Sequence, residues 1–587
     1  MKDKVVESSQ AASGEEQVSD RRAFLGKIGK TAVAAATVGA IGARPFLGGK
    51  DSTATAAIMP YKSGPRSDAA YRYRVDMANA NHIYVRPQAD NGDALRYADY
   101  SGLYSKGLLH DALGVPNQAS MQSLIAAFAS GNHSDFNNII VGGGGARLNG
   151  PQGALAFDLQ GVDSHCCIIP PAPTTRSAQT AAEMVEHYWG AILADVPFSE
   201  YGSNSLVAQA VTDLNNMSHL QGGNTQFPYP VTPQNLFRGR FHANDGNVKG
   251  PYLSQFLVQP TFYGAQPLSQ QYLTYLPANG GGSDYMTSVT EYQLVQNGGS
   301  SGRPLAYDQT YRYLRNGRDL AAYTNVDVLY QAYFTGFMVL AGIGAAPNPG
   351  NPYIGSQTQK GFGTLGGPDA AGTLGEMATR ALKASWYHKW IKDMRMRPEE
   401  YGALVHARIA GGSSPLASAE LHADVLNSAA VARTFSQYGT YLLPQAFPEG
   451  SPTHPCYPTG HGTVAGACIT LLKFFFNGAQ RIRPLLTARG RDVFVPSTDG
   501  LSLNTYNGGD RDDLDLNGEL AKLAFNISSG HGIHAGIHFR SSTYWSILLG
   551  EQVALGILRD KARCYNEPFT ISITKLDGTT ATITNIS

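Results

Sequence analysis

The chain has 587 residues, with 45 Lys+Arg against 45 Asp+Glu and no net charge. That balance leaves no basic footprint, so nucleic acid is excluded as a partner. Apolar residues at 42% and aromatics at 10% supply a substantial core, and the length exceeds the roughly 250–300 residues of a usual single core. Glycine (66) and proline (32) imply long ordered stretches of irregular chain between helices.

The N-terminus reads as an address. Ser19-Asp20-Arg21-Arg22-Ala23-Phe24-Leu25 is a twin-arginine pattern, followed by an uncharged small-residue stretch from Thr31 to Ala43. That stretch is too short to span a bilayer, and cleavage after Ala43 or Ala56 fits a small-x-small rule. Residues 1–56 are therefore expected to be an export signal and flexible segment, placing the folded protein in the periplasm or outside the cell without stable membrane insertion. Five cysteines (Cys166, Cys167, Cys456, Cys468, Cys564) are odd in number and define no disulfide framework; Cys456 reads as a buried spectator thiol.

Residues 57–310 read as a loop-rich helical region. Helical periodicity appears at 120–130 and 178–193, and 196–310 is mostly turns, with Gly280-Gly281-Gly282 as one marker. From Asp319 onward helices dominate, and residues 311–567 read as a helical bundle. Helices are expected over 327–344, over 373–396 with Thr373-x-x-Glu376 as a capping box, and over 462–476, 517–528 and 543–559. Pro398 disfavours helix at Arg397. Residues 568–587, with Asp577-Gly578 between alternating β-branched runs, read as a β-hairpin. The class is mainly α: paired helical bundles with long ordered loops and a small C-terminal β-hairpin.

Three segments carry chemistry. In Trp386-Tyr387-His388-Lys389-Trp390, Lys389 precedes Arg397-Pro398 by eight residues; two cations at a helix end repel unless an anion sits between them, although a solvated basic stretch with Lys392 and Arg395 explains them equally. Pro458-Thr459-Gly460-His461 opens onto a helix, where free N–H groups and the dipole attract an anion. Thr459 offers a hydroxyl, Gly460 a bare N–H, and His461 a proton carrier. The third segment, Gly530 to Arg540, places His534 and His538 at i, i+4 with His531 one turn earlier; a zinc cluster is one reading, but no Glu follows His534 as a HExxH motif requires.

Together, Lys-x7-Arg-Pro, Pro-Thr-Gly-His and Gly536-Ile-His538 resemble the vanadium-dependent haloperoxidases, which share an anion site with type 2 phosphatidic acid phosphatases and bacterial acid phosphatases. The resemblance is to the algal and bacterial bromoperoxidase branch. It is carried also by Arg380-Ala-Leu-Lys-Ala-Ser-Trp, Phe447-Pro-Glu-Gly-Ser-Pro-Thr-His454-Pro, Leu155-Ala-Phe-Asp-Leu, Ala182-Glu-Met and Gly250-Pro-Tyr-Leu-Ser-Gln-Phe, and it spans roughly residues 95–560. It implies that vanadate, vanadium(V), is held by Lys389, Arg397, Thr459 and Gly460, with His538 on the metal, His461 as acid–base group and Lys389 polarising the reacting oxygen. His454 corresponds to the extra histidine of that branch. The reaction implied is hydrogen peroxide oxidising a halide to hypohalous acid, bromide foremost, with iodide, chloride and small organic sulfides also open. A homodimer is implied as well. Some relatives bind calcium, but Gly361 to Asp369 has few carboxylates and predicts no firm calcium site.

One position departs from the family. An arginine is expected six residues before the metal-binding histidine, where this chain has Gly532. His531 or His534 replaces it, Arg540 swings in, or the anion is held less tightly; His531 is the preferred substitute. Asp319 and Asp327 are the candidates to orient His461. The competing functions are a secreted phosphohydrolase using the same anion site, and a non-enzymatic histidine-cluster metal or anion binder.

Overall fold

Eight helices surround these segments: α1 (Ala178–Ile192), α2 (Gly317–Val326), α3 (Gln331–Ile343), α4 (Gly367–Tyr387), α5 (Pro398–Ala410), α6 (Gly460–Phe475), α7 (Leu516–Ser529) and α8 (Arg540–Cys564). The C-terminal hairpin pairs β1 (Thr570–Thr574) with β2 (Thr580–Thr584), antiparallel and in register from Thr570–Thr584 to Thr574–Thr580. This computed structural model describes residues 66–82, 88–221, 226–241, 245–412 and 414–586. The twin-arginine pattern and the Thr31–Ala43 stretch lie outside them. Among the described residues the other strands form three further two-stranded hairpins.

Local chemistry sets several helix starts. Ser177 accepts from the Thr180 N–H at α1, Asn316 from Asp319 at α2, and Asp515 from Gly518 at α7; each supplies one of the acceptors that a helix N-terminus lacks. Helix α6 is buried along its whole length, as an all-round apolar helix must be. It packs against α4, α7 and α8. The α6–α8 approach depends on glycine: a Cβ at Gly466 would stand 1.9 Å from the Ile547 carbonyl oxygen, and one at Gly550 2.0 Å from that of Thr463.

Residues 70–587 form one compact unit. Its main apolar cluster joins Trp189 and Phe256 to Leu472, Leu523, Ile571 and Ile583, so both sides of residue 310 and the hairpin share a core. No single described helix is long and apolar enough to cross a membrane, and α2 and α3, long enough only as a pair, bend by 102° at their junction.

Two helix expectations need correction. Thr373-x-x-Glu376 is not a capping box: α4 starts six residues earlier, with Pro368 in its first turn, and Thr373 Oγ1 donates to Asp369 Oδ1 at 3.3 Å. Proline needs no N–H partner at a helix start, which makes that position the better entry. Nor does α4 run to Met396 as regular helix. It widens into a π-helical turn, His388–Asp393, closed by Met394 at φ 41°. Asp327 is likewise outside α3, in the α2–α3 connection.

Because the α6–α8 contact has no room for a methyl group, Gly466→Ala is expected to cost about 2 kcal/mol or more. A thermal melt of the variant should show the midpoint lowered by several degrees.

Candidate functional site

Breaks in helical regularity bring the chemical groups together. The π-helical turn after α4 carries Lys389, and Arg397 is the residue that caps α5. The loop from Pro452 to Pro458 leads into Thr459, the N-cap of α6. A second π-helical turn, Gly530–His534, follows α7 and carries His531; there the Ala535 N–H reaches back to the Gly530 carbonyl at 3.1 Å. Such turns rotate side chains out of the 3.6-residue register and are common at functional sites.

Lys389 Nζ donates to the Pro455 carbonyl at 2.7 Å. Arg397 donates from Nε to the His454 carbonyl at 2.8 Å, from Nη1 to the Ile537 carbonyl at 2.8 Å and to His538 Nε2 at 2.9 Å, and from Nη2 to His454 Nδ1 at 2.9 Å. His538 Nδ1 donates to the Cys456 carbonyl at 2.6 Å. That bond fixes the tautomer and leaves Nε2 as the lone pair facing the arginine, which is the form a metal-binding imidazole needs.

Both cations are fully buried. Their nearest carboxylates are engaged elsewhere: Glu399 pairs with Lys106 at 2.5 Å, and Glu400 accepts from Ser105 and from the Arg397 backbone N–H. Burial, then the Arg397 charge, pulls the Lys389 pKa well below 10.5. Burial is the main cause of the lowered Arg397 pKa as well. His454, His531 and His538 are all pushed well below the usual histidine value, first by burial and then by the surrounding positive groups. Two buried cations with no carboxylate partner cost several kcal/mol unless an anion joins them. Thr459 Oγ1 and His531 Nδ1 are buried with no hydrogen-bond partner, two further atoms set for a missing group. The basic stretch is therefore not solvated.

His461 Nε2 lies 2.9 Å from Asp327 Oδ1, which selects Asp327 over Asp319 as its partner; Asp319 takes Arg315 instead, at 3.1 Å. His531 stacks on His461 with ring centroids 3.9 Å apart and lies 5.7 Å from the His538 ring. His454, His461 and His531 keep 5%, 7% and 8% exposure, while Lys389, Arg397, Thr459 and His538 keep none. The three histidines thus form the side that opens toward solvent.

The backbone at Gly532 is crowded. A Cβ there would stand 2.9 Å from Thr543 Oγ1 and 3.1 Å from the His538 carbonyl oxygen, so a larger side chain would require these neighbours to shift. His534 does not share a face with His538. The π-turn directs it into an aromatic cluster of Phe198, Phe237 and Tyr252, where Tyr252 Oη and its Nε2 are 2.9 Å apart, and burial pushes its pKa down to about 3. Arg540 does not swing in: its Nε donates to Glu186 Oε2 at 2.9 Å and its Nη1 to the Arg238 carbonyl at 2.8 Å. Of the three candidate side chains, only His531 lies beside His461 and His538. Among the described residues no group of three or more His, Cys, Asp or Glu side chains could hold a metal ion.

Sequence reasoning missed two neighbours. Cys456 has the buried thiol expected, but its backbone carbonyl holds His538, with Sγ 3.4 Å from His538 Nδ1. Trp386 lies 4.8 Å from the His454 ring and 5.9 Å from Lys389 Nζ. Its spacing, one helical turn before Lys389, was the available signal. Cys167, Cys456, Cys468 and Cys564 are free thiols.

A mainly helical scaffold that buries two cations without carboxylate partners, beside a histidine paired with Asp327, has the features of a helical oxyanion-binding protein. No family model matches the chain. It is 32% identical to a vanadium-dependent bromoperoxidase of Ascophyllum nodosum, over 90% of this chain and 94% of that protein. It is 30% identical to the one from Corallina pilulifera, over 85% and 93% respectively. Its fold matches the homohexameric structure of the second vanadate-dependent bromoperoxidase (AnII) from Ascophyllum nodosum, with a TM-score of 0.81, 26% identity, and coverage of 93% of this chain and 95% of that one. The chain belongs to the vanadium-dependent bromoperoxidase family.

Each charge-assisted hydrogen bond at such a site contributes about 1.5–3 kcal/mol. Lys389→Met and Arg397→Met should each weaken orthovanadate binding about tenfold or more, measured by titration calorimetry.

Proposed function

We propose that the protein is a vanadate-dependent haloperoxidase that uses hydrogen peroxide to oxidise halide, bromide foremost, to hypohalous acid. Iodide, chloride and small organic sulfides are further acceptors in this reading. The observation that carries it is the pair of fully buried cations, Lys389 and Arg397, unpartnered by carboxylate and facing His538.

The residues present fit vanadate. Lys389, Arg397, Thr459 Oγ1, the Gly460 N–H at the start of α6 and His531 would hold its oxygens, and His538 Nε2 would bind the metal. Thr459 and His531 each bring a buried polar atom that the protein leaves without a partner. Bound vanadium(V) supplies Lewis acidity toward peroxide without changing its own oxidation state. The chain supplies the rest. Asp327 accepts from His461 Nε2–H, which leaves Nδ1 as the atom that takes a proton from peroxide and later returns it to the departing hydroxide. Lys389 and the N-terminus of α6 withdraw charge from the reacting oxygen. Arg397 turns His454 toward the open side through the 2.9 Å bond to Nδ1, where it adjoins the entering substrate. His531 takes the arginine's place, with one ring nitrogen donating to the Thr324 carbonyl and Nδ1, a lone pair in the neutral ring, set to accept from a protonated oxygen of the anion.

The same reading places the protein outside the inner membrane, exported by the twin-arginine signal, and in an oligomer whose unit is a homodimer. Support for the oligomer is the homohexamer formed by its structural relative.

Metal-stripped protein should brominate a phenol-type dye only after orthovanadate is added, and phosphate should compete. Silence of the vanadate-treated protein with bromide, iodide, chloride and an organic sulfide would sink the reading. Asp327→Asn is expected to lower kcat on the order of 10²-fold or more while leaving orthovanadate affinity, read by calorimetry, nearly unchanged.

A further inference from the structure

Between Lys389 and Arg397 the chain carries Arg395, which the vanadate reading leaves without a role. Its side chain is buried and is spent on other elements. Nη1 donates to Ser541 Oγ at 2.7 Å, in the first turn of α8, and Nη2 lies 3.4 Å from Glu183 Oε2 of α1. Ser541 Oγ closes the triangle by donating to the same Glu183 oxygen at 2.7 Å. The guanidinium also lies over Phe539, with its central carbon 4.1 Å from the ring centroid. His187 of α1 and Tyr401 of α5 meet that ring edge-on, at 5.4 and 6.2 Å between centroids. Phe539 is fully buried, and it follows His538 directly in the chain.

The backbone of Arg395 reaches the same histidine by another route. Its carbonyl accepts the Cys456 N–H at 2.9 Å, and the Cys456 carbonyl in turn accepts from His538 Nδ1 at 2.6 Å. The residue after Ser541 extends the contact to the anion loop, because the Ser542 carbonyl accepts the Thr459 N–H at 3.2 Å. One residue therefore holds the loop that orients the His538 ring, the aromatic ring next to it in the chain, and the helix start that follows. Stability alone is a poor account of this arrangement. Desolvation offsets most of the attraction in a buried ion pair, and apolar side chains of similar volume fill such a space about as well. What arginine adds is fixed geometry: a planar fork of five N–H donors that stacks on an aromatic face while it bonds in its own plane.

We propose that Arg395, tied to Glu183 and Ser541, is a positioning residue for His538, holding that ring with Nε2 toward the anion site and 2.9 Å from Arg397 Nη1. It touches no anion itself. The inference rests on the vanadate reading of the site and adds to it a device joining α1, the Cys456 loop and α8. Partners that orient a metal-binding histidine typically contribute about 10- to 100-fold in metal affinity.

The experiment is calorimetric titration of the full-length protein with orthovanadate, paired with thermal melts, on the wild type, Arg395→Met, Arg395→Lys and Lys561→Met. Lys561 pairs with Asp369 at 3.2 Å in the last turn of α8, so its variant removes an ion pair from the same helix at the end away from His538. Arg395→Met should bind orthovanadate about tenfold or more weakly. Arg395→Lys, which keeps the charge opposite Glu183 but not the fork, should recover part of that loss. Lys561→Met should bind as the wild type does, whatever its melting temperature. If Arg395→Met does not fold, Ser541→Ala, which removes the hydroxyl between Arg395 and Glu183, should weaken binding in the same direction. Wild-type affinity in Arg395→Met, or an equal loss in Lys561→Met, would overturn the proposal and leave the vanadate reading standing. Failure of the wild type to bind orthovanadate would overturn that reading and the proposal with it.

Discussion

The structure depends on a charge imbalance placed where water cannot relieve it. Lys389 and Arg397 are buried within a few residues of each other's contacts, and backbone carbonyls of Pro455, His454 and Ile537 hold them in position. Carbonyls orient a cation without neutralising it, whereas a carboxylate would do both. Glu399 and Glu400 follow Arg397-Pro398 in the chain, yet their oxygens are taken by Lys106, Ser105, Ser451 and the helix start. The free energy that the fold gives up in burying these charges is available to bind an oxyanion.

That arrangement is built from irregular backbone on a regular scaffold. Helix α6 points its N-terminus at the site and is clamped by α8 through glycines too crowded for a methyl group. Lys389 and His531 both come from π-helical turns. Each such turn adds a residue to the helical repeat, so the side chains after it face a direction that regular helix would not give. Rigid helices hold the frame, and the turns aim the chemistry.

The change from the family pattern at Gly532 is a coupled one. With Thr543 Oγ1 and the His538 carbonyl within 3.1 Å of any Cβ, a side chain there would require those neighbours to shift. The chain presents instead an imidazole stacked on His461, whose pKa is pushed well below the usual histidine value first by burial and then by neighbours that include the Arg397 and Lys389 charges. This site carries one fixed positive charge fewer than an arginine-bearing one, and its opening is lined by histidines.

Much was legible in one dimension. The helices around Ala178, Gly460 and Leu516 follow from apolar periodicity and capping residues. The hairpin after Phe569 follows from alternation about Asp577-Gly578, and motif order singles out most of the side chains that the fold brings together around Arg397 and His538. What the sequence by itself determined was the chemical inventory and its local geometry: which groups carry charge, which residue starts a helix, which motif order matches a family. Tertiary structure alone decided that Asp327 rather than Asp319 meets His461, that His534 enters an aromatic cluster while His531 stacks on His461, that Arg540 is spent on Glu186, and that Cys456 holds His538. These are contacts between residues roughly a hundred or more positions apart, or outcomes of a helix changing its repeat. Periodicity reports only what lies within a few turns, and packing sets the rest.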